Sequence, residues 1–78
     1  MIIKILGPGC RNCHTLEERT REALTQLGLD AEFQAVTDYA LIAGYGVMKT
    51  PGLVVDEEVL MAGRVPSVKD LTRLLAAR

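Results

Sequence analysis

A chain of 78 residues, about half of them apolar, suffices for one small domain and is too apolar for a disordered segment. Nine basic and ten acidic side chains leave a formal net charge of -1 with no basic stripe, which excludes an electrostatic grip on nucleic acid as the expected function. Trp is absent and aromatics are few, so the core must be aliphatic, and no apolar run approaches the ~20 residues of a membrane span.

MIIKIL (Met1–Leu6) is a nearly continuous apolar run rich in β-branched residues, with Lys4 as its single charge. It suits a strand buried on both faces. Gly7-Pro8-Gly9 ends it. From Arg11 to Leu27, Leu16, Thr20, Ala23, Leu24 and Leu27 recur at helical spacing, with charged and amide side chains opposite. Glu17 and Arg21 form an i,i+4 pair with the acid first, and Gly28 is placed to cap the end. AEFQAV (Ala31–Val36) alternates, with Ala31, Phe33 and Ala35 on one face, as in a half-exposed edge strand. Thr37 or Asp38 then caps a short helix ending near Gly46. Gly52–Val55 reads as a strand, Asp56–Glu58 as a tight turn and Val59–Ala62 as the returning strand. Gly63 breaks it. Ser67, with Asp70 three residues on, opens a last helix from Val68 to about Ala77, with Val68, Leu71, Leu74 and Leu75 inward.

The order is β-α-β-α-β-β-α. A helix crosses between the first two strands, so they run parallel, and the last two form a hairpin. The expected fold is α/β: a four-stranded mixed sheet with helices on both faces, as one domain over residues 1–78.

Cys10 and Cys13 are the only cysteines, spaced C-x-x-C at the start of the first helix. Three readings compete. The first is a redox pair, because C-x-x-C beside a βαβ pattern is a redox signal. Free backbone N–H groups and the helix dipole at Cys10 favour the thiolate that attacks disulfides. Adjacent Arg11, and His14 one turn away, are candidates to stabilise it further. Alternatively, His14 is simply a solvated residue. The second reading is a structural metal site, which normally takes four Cys or His ligands. With two Cys and one His, this chain would need carboxylates or a second chain to complete one. The third, cysteines that only pack, sits poorly after a glycine-rich turn, which exposes the residues next to it.

The second informative stretch is YGVMKTPGLVV (Tyr45–Val55), where Thr50 and Pro51 precede a strand. Together with the upstream C-x-x-C it resembles the thioredoxin superfamily. ILGPGCRNCHTLE, YGVMKTPGLVVDEEV and GRVPS resemble in particular the small glutaredoxin-like thioredoxins of bacteria and archaea, over essentially the whole chain. The resemblance implies a thioredoxin fold in which Pro51 is cis and lies against the dithiol. It also implies that Thr50 offers its backbone to an extended substrate, and that Gly63 lets the last strand approach the active-site loop. There are departures. Arg11-Asn12 fills the spacer, Gly9 stands where a tryptophan usually precedes the first cysteine, and Lys4 replaces the buried acid of full thioredoxins. A charged Lys4 beneath the site would lower a thiol pKa; on the other reading it snorkels to solvent.

The function implied is thiol–disulfide exchange without a bound cofactor. Cys10 attacks, Cys13 resolves, and Thr50 and Pro51 shape the groove for a disulfide-containing protein substrate. Electrons would come from a flavin-dependent disulfide reductase or from glutathione. The alternative is a dithiol module that senses oxidation or binds a metal or metalloid without turnover. MIIKIL is too short for the apolar part of a signal peptide, so the expected compartment is the cytoplasm, where a disulfide is usually transient and catalytic.

Overall fold

Seven elements succeed one another in the computed structural model, which describes residues 1–77: β1 (Ile2–Leu6), α1 (Arg11–Leu27), β2 (Glu32–Val36), α2 (Tyr39–Gly44), β3 (Gly52–Val55), β4 (Glu58–Ala62) and α3 (Val68–Ala76). Arg78, the last position of the expected domain, lies outside the described residues. The strands form one sheet in the order β2-β1-β3-β4. β1 runs parallel to β2, with Ile3 opposite Phe33, and antiparallel to β3, with Ile3 opposite Val55. β3 and β4 are an antiparallel hairpin with an irregularity at Leu53/Val54. This is the mixed sheet expected from the element order.

The apolar stripes decide which helix covers which face. Ile3, Ile5, Leu53 and Val55 turn to one side and meet Leu16, Ala23 and Leu24 of α1 and Leu71 and Leu75 of α3. Leu6 and Val54 turn to the other side and meet Ile42 of α2 and Val47. β1 is thus buried on both faces, as a central strand must be. Thr20 is fully buried on α1, and its hydroxyl is satisfied by donating to the Leu16 carbonyl at 2.7 Å. The cap of α1 is Gly28 in the left-handed region (φ 69°), where a side chain would be strained.

Some local expectations change. Asp38, not Thr37, caps α2, its Oδ1 accepting from the Ala40 N–H at 2.8 Å, and α2 stops at Gly44. Ala31 and Phe33 pack against the larger core cluster, but Ala35 is exposed. Ala35 borders a small cavity beside the first turn of α1. Val47 is buried, whereas its neighbour Met48 projects outward.

The β3–β4 turn is two residues, Asp56 and Glu57, both at positive φ (48° and 69°). Such a turn matches the twist of a hairpin but costs side-chain-bearing residues about 1–2 kcal/mol each. Side chains hold it in place. The Asp56 carboxylate accepts from the Ile2 N–H at 2.8 Å, and Glu57 takes the Lys4 ammonium at 2.5 Å.

Candidate active site

Gly9, at φ 83°, turns the chain so that Cys10 enters as the N-cap of α1. The Cys10 sulfur accepts the backbone N–H of Cys13 at 3.3 Å, taking the place of the usual Ser or Asp oxygen. The spacer then puts Cys13 one turn along, and its sulfur lies 2.6 Å from that of Cys10. Both are free thiols. That separation is not far beyond the ~2.05 Å of a disulfide bond.

The two sulfurs differ in surroundings. Cys10 is half-buried and Cys13 is buried at 5% exposure. The hydrogen bond from the Cys13 thiol lowers the Cys10 pKa from the ordinary 9.0, helped by the N–H groups of Cys13 and Asn12. Burial, and then the hydrogen bond it gives to Cys10, raises Cys13. When one proton leaves the pair, the negative charge therefore resides on the accessible sulfur, stabilised by helix-end amides.

Gly7 ends β1 and stands between Cys13 and Thr50, whose Cβ lies 3.6 Å from the Cβ position of Gly7. The Thr50–Pro51 peptide is cis. The Pro51 carbonyl accepts the Gly63 N–H at 2.9 Å, which ties the loop to the end of β4. Gly63 has φ 81°, and a Cβ there would press within 3.2 Å of Lys49. The fold thus gathers Cys10, Cys13, Thr50 and Pro51 at one end of the sheet, from segments separated by some forty residues.

The remaining candidates are placed differently. Arg11 is exposed at the first position of α1. The backbone N–H of His14 donates to the Cys10 carbonyl at 3.1 Å. His14 also borders a cavity of about 50 Å³ shared with Cys13, Glu17, Ala35 and Thr37. Lys4 lies on the α2 side of the sheet, whereas its neighbours Ile3 and Ile5 pack with Cys13 on the other. Its ammonium is engaged by Glu57 and by the Tyr45 hydroxyl at 2.9 Å. The free helix-end N–H groups expected at Cys10 are those of Asn12 and Cys13. Sequence reasoning missed Glu17 at the cavity, although the i,i+4 spacing from Cys13 puts both on one helix face. A larger groove of about 290 Å³, walled by Arg21, Leu24, Asp30 and Phe33, lies at the other end of α1. Among the described residues no group of three or more His, Cys, Asp or Glu side chains could hold a metal ion, and no helix is long and apolar enough to cross a membrane.

Comparison with known proteins agrees with this geometry. Residues 1–76 match the Thioredoxin domain family model. The chain is 42% identical over 76 residues to a protein named Thioredoxin from Methanothermobacter thermautotrophicus, covering 97% of this chain and 99% of that protein. It is 38% identical over 71 residues to a Thioredoxin from Methanocaldococcus jannaschii, covering 91% and 81%. Two solved structures share the fold at low identity. One, a malarial protein, has a TM-score of 0.66 at 17% identity, over 97% of this chain and 93% of that one. The other is thioredoxin-2, described as a component of malaria parasite protein secretion machinery, with a TM-score of 0.70 at 15% identity, over 99% and 82%. The paired cysteines at a helix start, the sheet that presents them and the archaeal relatives place this chain in the thioredoxin family, as a thiol–disulfide oxidoreductase.

Proposed function

We propose that the chain reduces disulfides of protein substrates in two steps. Cys10 thiolate attacks a substrate sulfur, forming a mixed disulfide and releasing one substrate thiolate. Cys13 then attacks the Cys10 sulfur, the Cys10–Cys13 disulfide forms, and the second substrate thiolate leaves and takes up a proton. Two electrons pass from the dithiol to the substrate. The observation that carries this assignment is the asymmetry of the pair: the more accessible sulfur has the lowered pKa and the buried one the raised pKa. The first step needs a reactive thiolate that a bulky disulfide can reach. The second needs a thiol held within bonding distance and shielded from outside disulfides.

Thr50 and Pro51 form the wall against which the substrate lies, with the Thr50 backbone pairing to an extended peptide. Exposed Met48, 92% accessible, adds apolar contact beside them. Electrons come from a flavin-dependent disulfide reductase or from glutathione, and the working compartment is the reducing cytoplasm.

Single-cysteine variants test the roles. Cys10→Ser is expected to abolish reduction of a protein disulfide with dithiothreitol as donor. Cys13→Ser is expected to form the mixed disulfide and stall, visible by mass under non-reducing conditions. Full activity in Cys13→Ser would replace the dithiol route with a single-cysteine one. Activity lost in Cys13→Ser yet kept in Cys10→Ser would reverse the roles.

A further inference from the structure

The glycines on either side of Pro8 differ. Gly9 has φ 83° and open space where a side chain would go, so it is required by backbone conformation. Gly7 has the opposite constraint. It is not among the positive-φ glycines, so no left-handed backbone conformation calls for a glycine there. Yet a Cβ built on Gly7 collides with the Cys13 sulfur, and nothing else lies nearer than the Cys13 Cβ and the Thr50 Cβ, both at 3.6 Å. The buried sulfur occupies the volume of the missing side chain.

We propose that Gly7 is a positioning residue for the resolving step: the absence of its side chain is the seat that holds the Cys13 sulfur against that of Cys10. The inference rests on Cys13 being the resolving thiol. An added methyl must displace whichever group yields most easily. Gly7 is fixed in backbone, its N–H donating to the Val36 carbonyl at 2.9 Å. The Cys13 backbone is fixed within α1. The sulfur is the end of a one-bond side chain and turns most easily, by about 120° to another staggered position. The cavity of about 50 Å³ that borders both Gly7 and Cys13 offers somewhere for it to go. Such a turn costs the fold little but removes the sulfur from its 2.6 Å approach to Cys10. Cys10 keeps its place at the helix start, because Gly9, not Gly7, sets its entry.

The two half-reactions therefore respond differently to Gly7→Ala. With 5,5′-dithiobis(2-nitrobenzoate) as probe, attack by Cys10 releases one coloured thiolate and leaves the aryl group disulfide-bonded to Cys10. Attack by Cys13 on the Cys10 sulfur then closes the internal disulfide and releases the second. In stopped flow, Gly7→Ala is expected to slow the second release at least about tenfold, with the aryl adduct of Cys10 visible by mass. The first release is expected to change by no more than a factor of about two. Equal slowing of both releases, or resolution at the wild-type rate, overturns the proposal. Cys13→Ser under the same conditions separates the two readings. If it resolves as fast as wild type, the assignment of Cys13 fails. If it stalls while Gly7→Ala resolves normally, only the role of Gly7 fails. Should Gly7→Ala not fold, the double variant Gly7→Ala/Cys13→Ala must fold, because the colliding sulfur is gone. If it does not, the space is not the seat of that sulfur and the proposal falls.

Discussion

At Cys10 and Cys13 one side-chain chemistry is pulled in two directions by burial and by the direction of a shared hydrogen bond. Ultraviolet titration of the thiolate should give Cys10 a midpoint below the ordinary 9.0, and the rate of attack on a small disulfide should rise with pH up to that midpoint and then level. The stability consequences have opposite signs. The depressed pKa of Cys10 contributes stability that is present above the ordinary thiol value and lost as pH falls through the folded pKa. The raised pKa of Cys13 contributes stability that is present below the ordinary value and lost as pH rises through its folded pKa. Lys4 and Glu57 supply another such pair, with Lys4 raised above 10.5 and Glu57 lowered below 4.5, each mainly by its hydrogen bond to the other. Their joint contribution is complete between those two ordinary values and fades as pH falls through the depressed pKa of Glu57. Melting temperatures of wild type and Glu57→Gln across acid pH should therefore converge as pH drops; a constant gap would mean that the ion pair is not its source. The residues of both pairs are visible in the sequence, but only the cysteine partnership is visible there too. The C-x-x-C spacing is local and could be read directly, whereas Lys4 and Glu57 are 53 positions apart and meet only when β1 lies beside β3.

Among the elements, α1 and α3 were readable because their apolar periodicity and caps are local. Ser67 accepts from the Asp70 N–H at 3.2 Å as the capping signal requires, and Gly28 closes α1. β2 was less readable. Ala35 follows the alternation of Ala31 and Phe33, but at that point of the sheet edge it lines a small cavity together with Cys13, His14 and Glu17 of α1 and stays exposed. α2 is the element with the least internal support, six residues held by the Asp38 cap and by one buried side chain, Ile42. Asp38→Ala should cost ~1 kcal/mol in urea unfolding. Amide exchange should quicken in α2 before α1, since a six-residue helix has almost no stability of its own. Equal exchange in the two helices would mean that α2 opens only with the whole fold.

For the whole molecule the core is small, and single deletions in it are costly. Leu71 and Leu16 are fully buried where α3 and α1 meet beneath the sheet. Leu71→Ala is expected to cost ~2–5 kcal/mol, against a total of about 4–12 kcal/mol for a domain of this length, so the urea midpoint should fall sharply or the fold be lost. A shift under ~1 kcal/mol would mean the site collapses around the smaller side chain. The fold class could be read from element order, because a parallel crossover and a closing hairpin leave few arrangements. The strand order could not. The pairing of β1 with β3 joins Ile5 to Leu53 with no local signal in between, and only the burial of both faces of β1 requires it.

That β1–β3 seam has a consequence for how the chain could be divided. One portion holds β1, α1 and β2; the other holds β3, β4 and α3. They meet along the seam, through the core that α1 and α3 share beneath the sheet, and where the Arg19 guanidinium donates to the Pro66 carbonyl at 3.1 Å. A break between β2 and α2 would leave both thiols on the first piece and Thr50 and Pro51 on the second. Neither piece would then hold a complete groove, and disulfide reduction would report the reassembly of two fragments into one molecule.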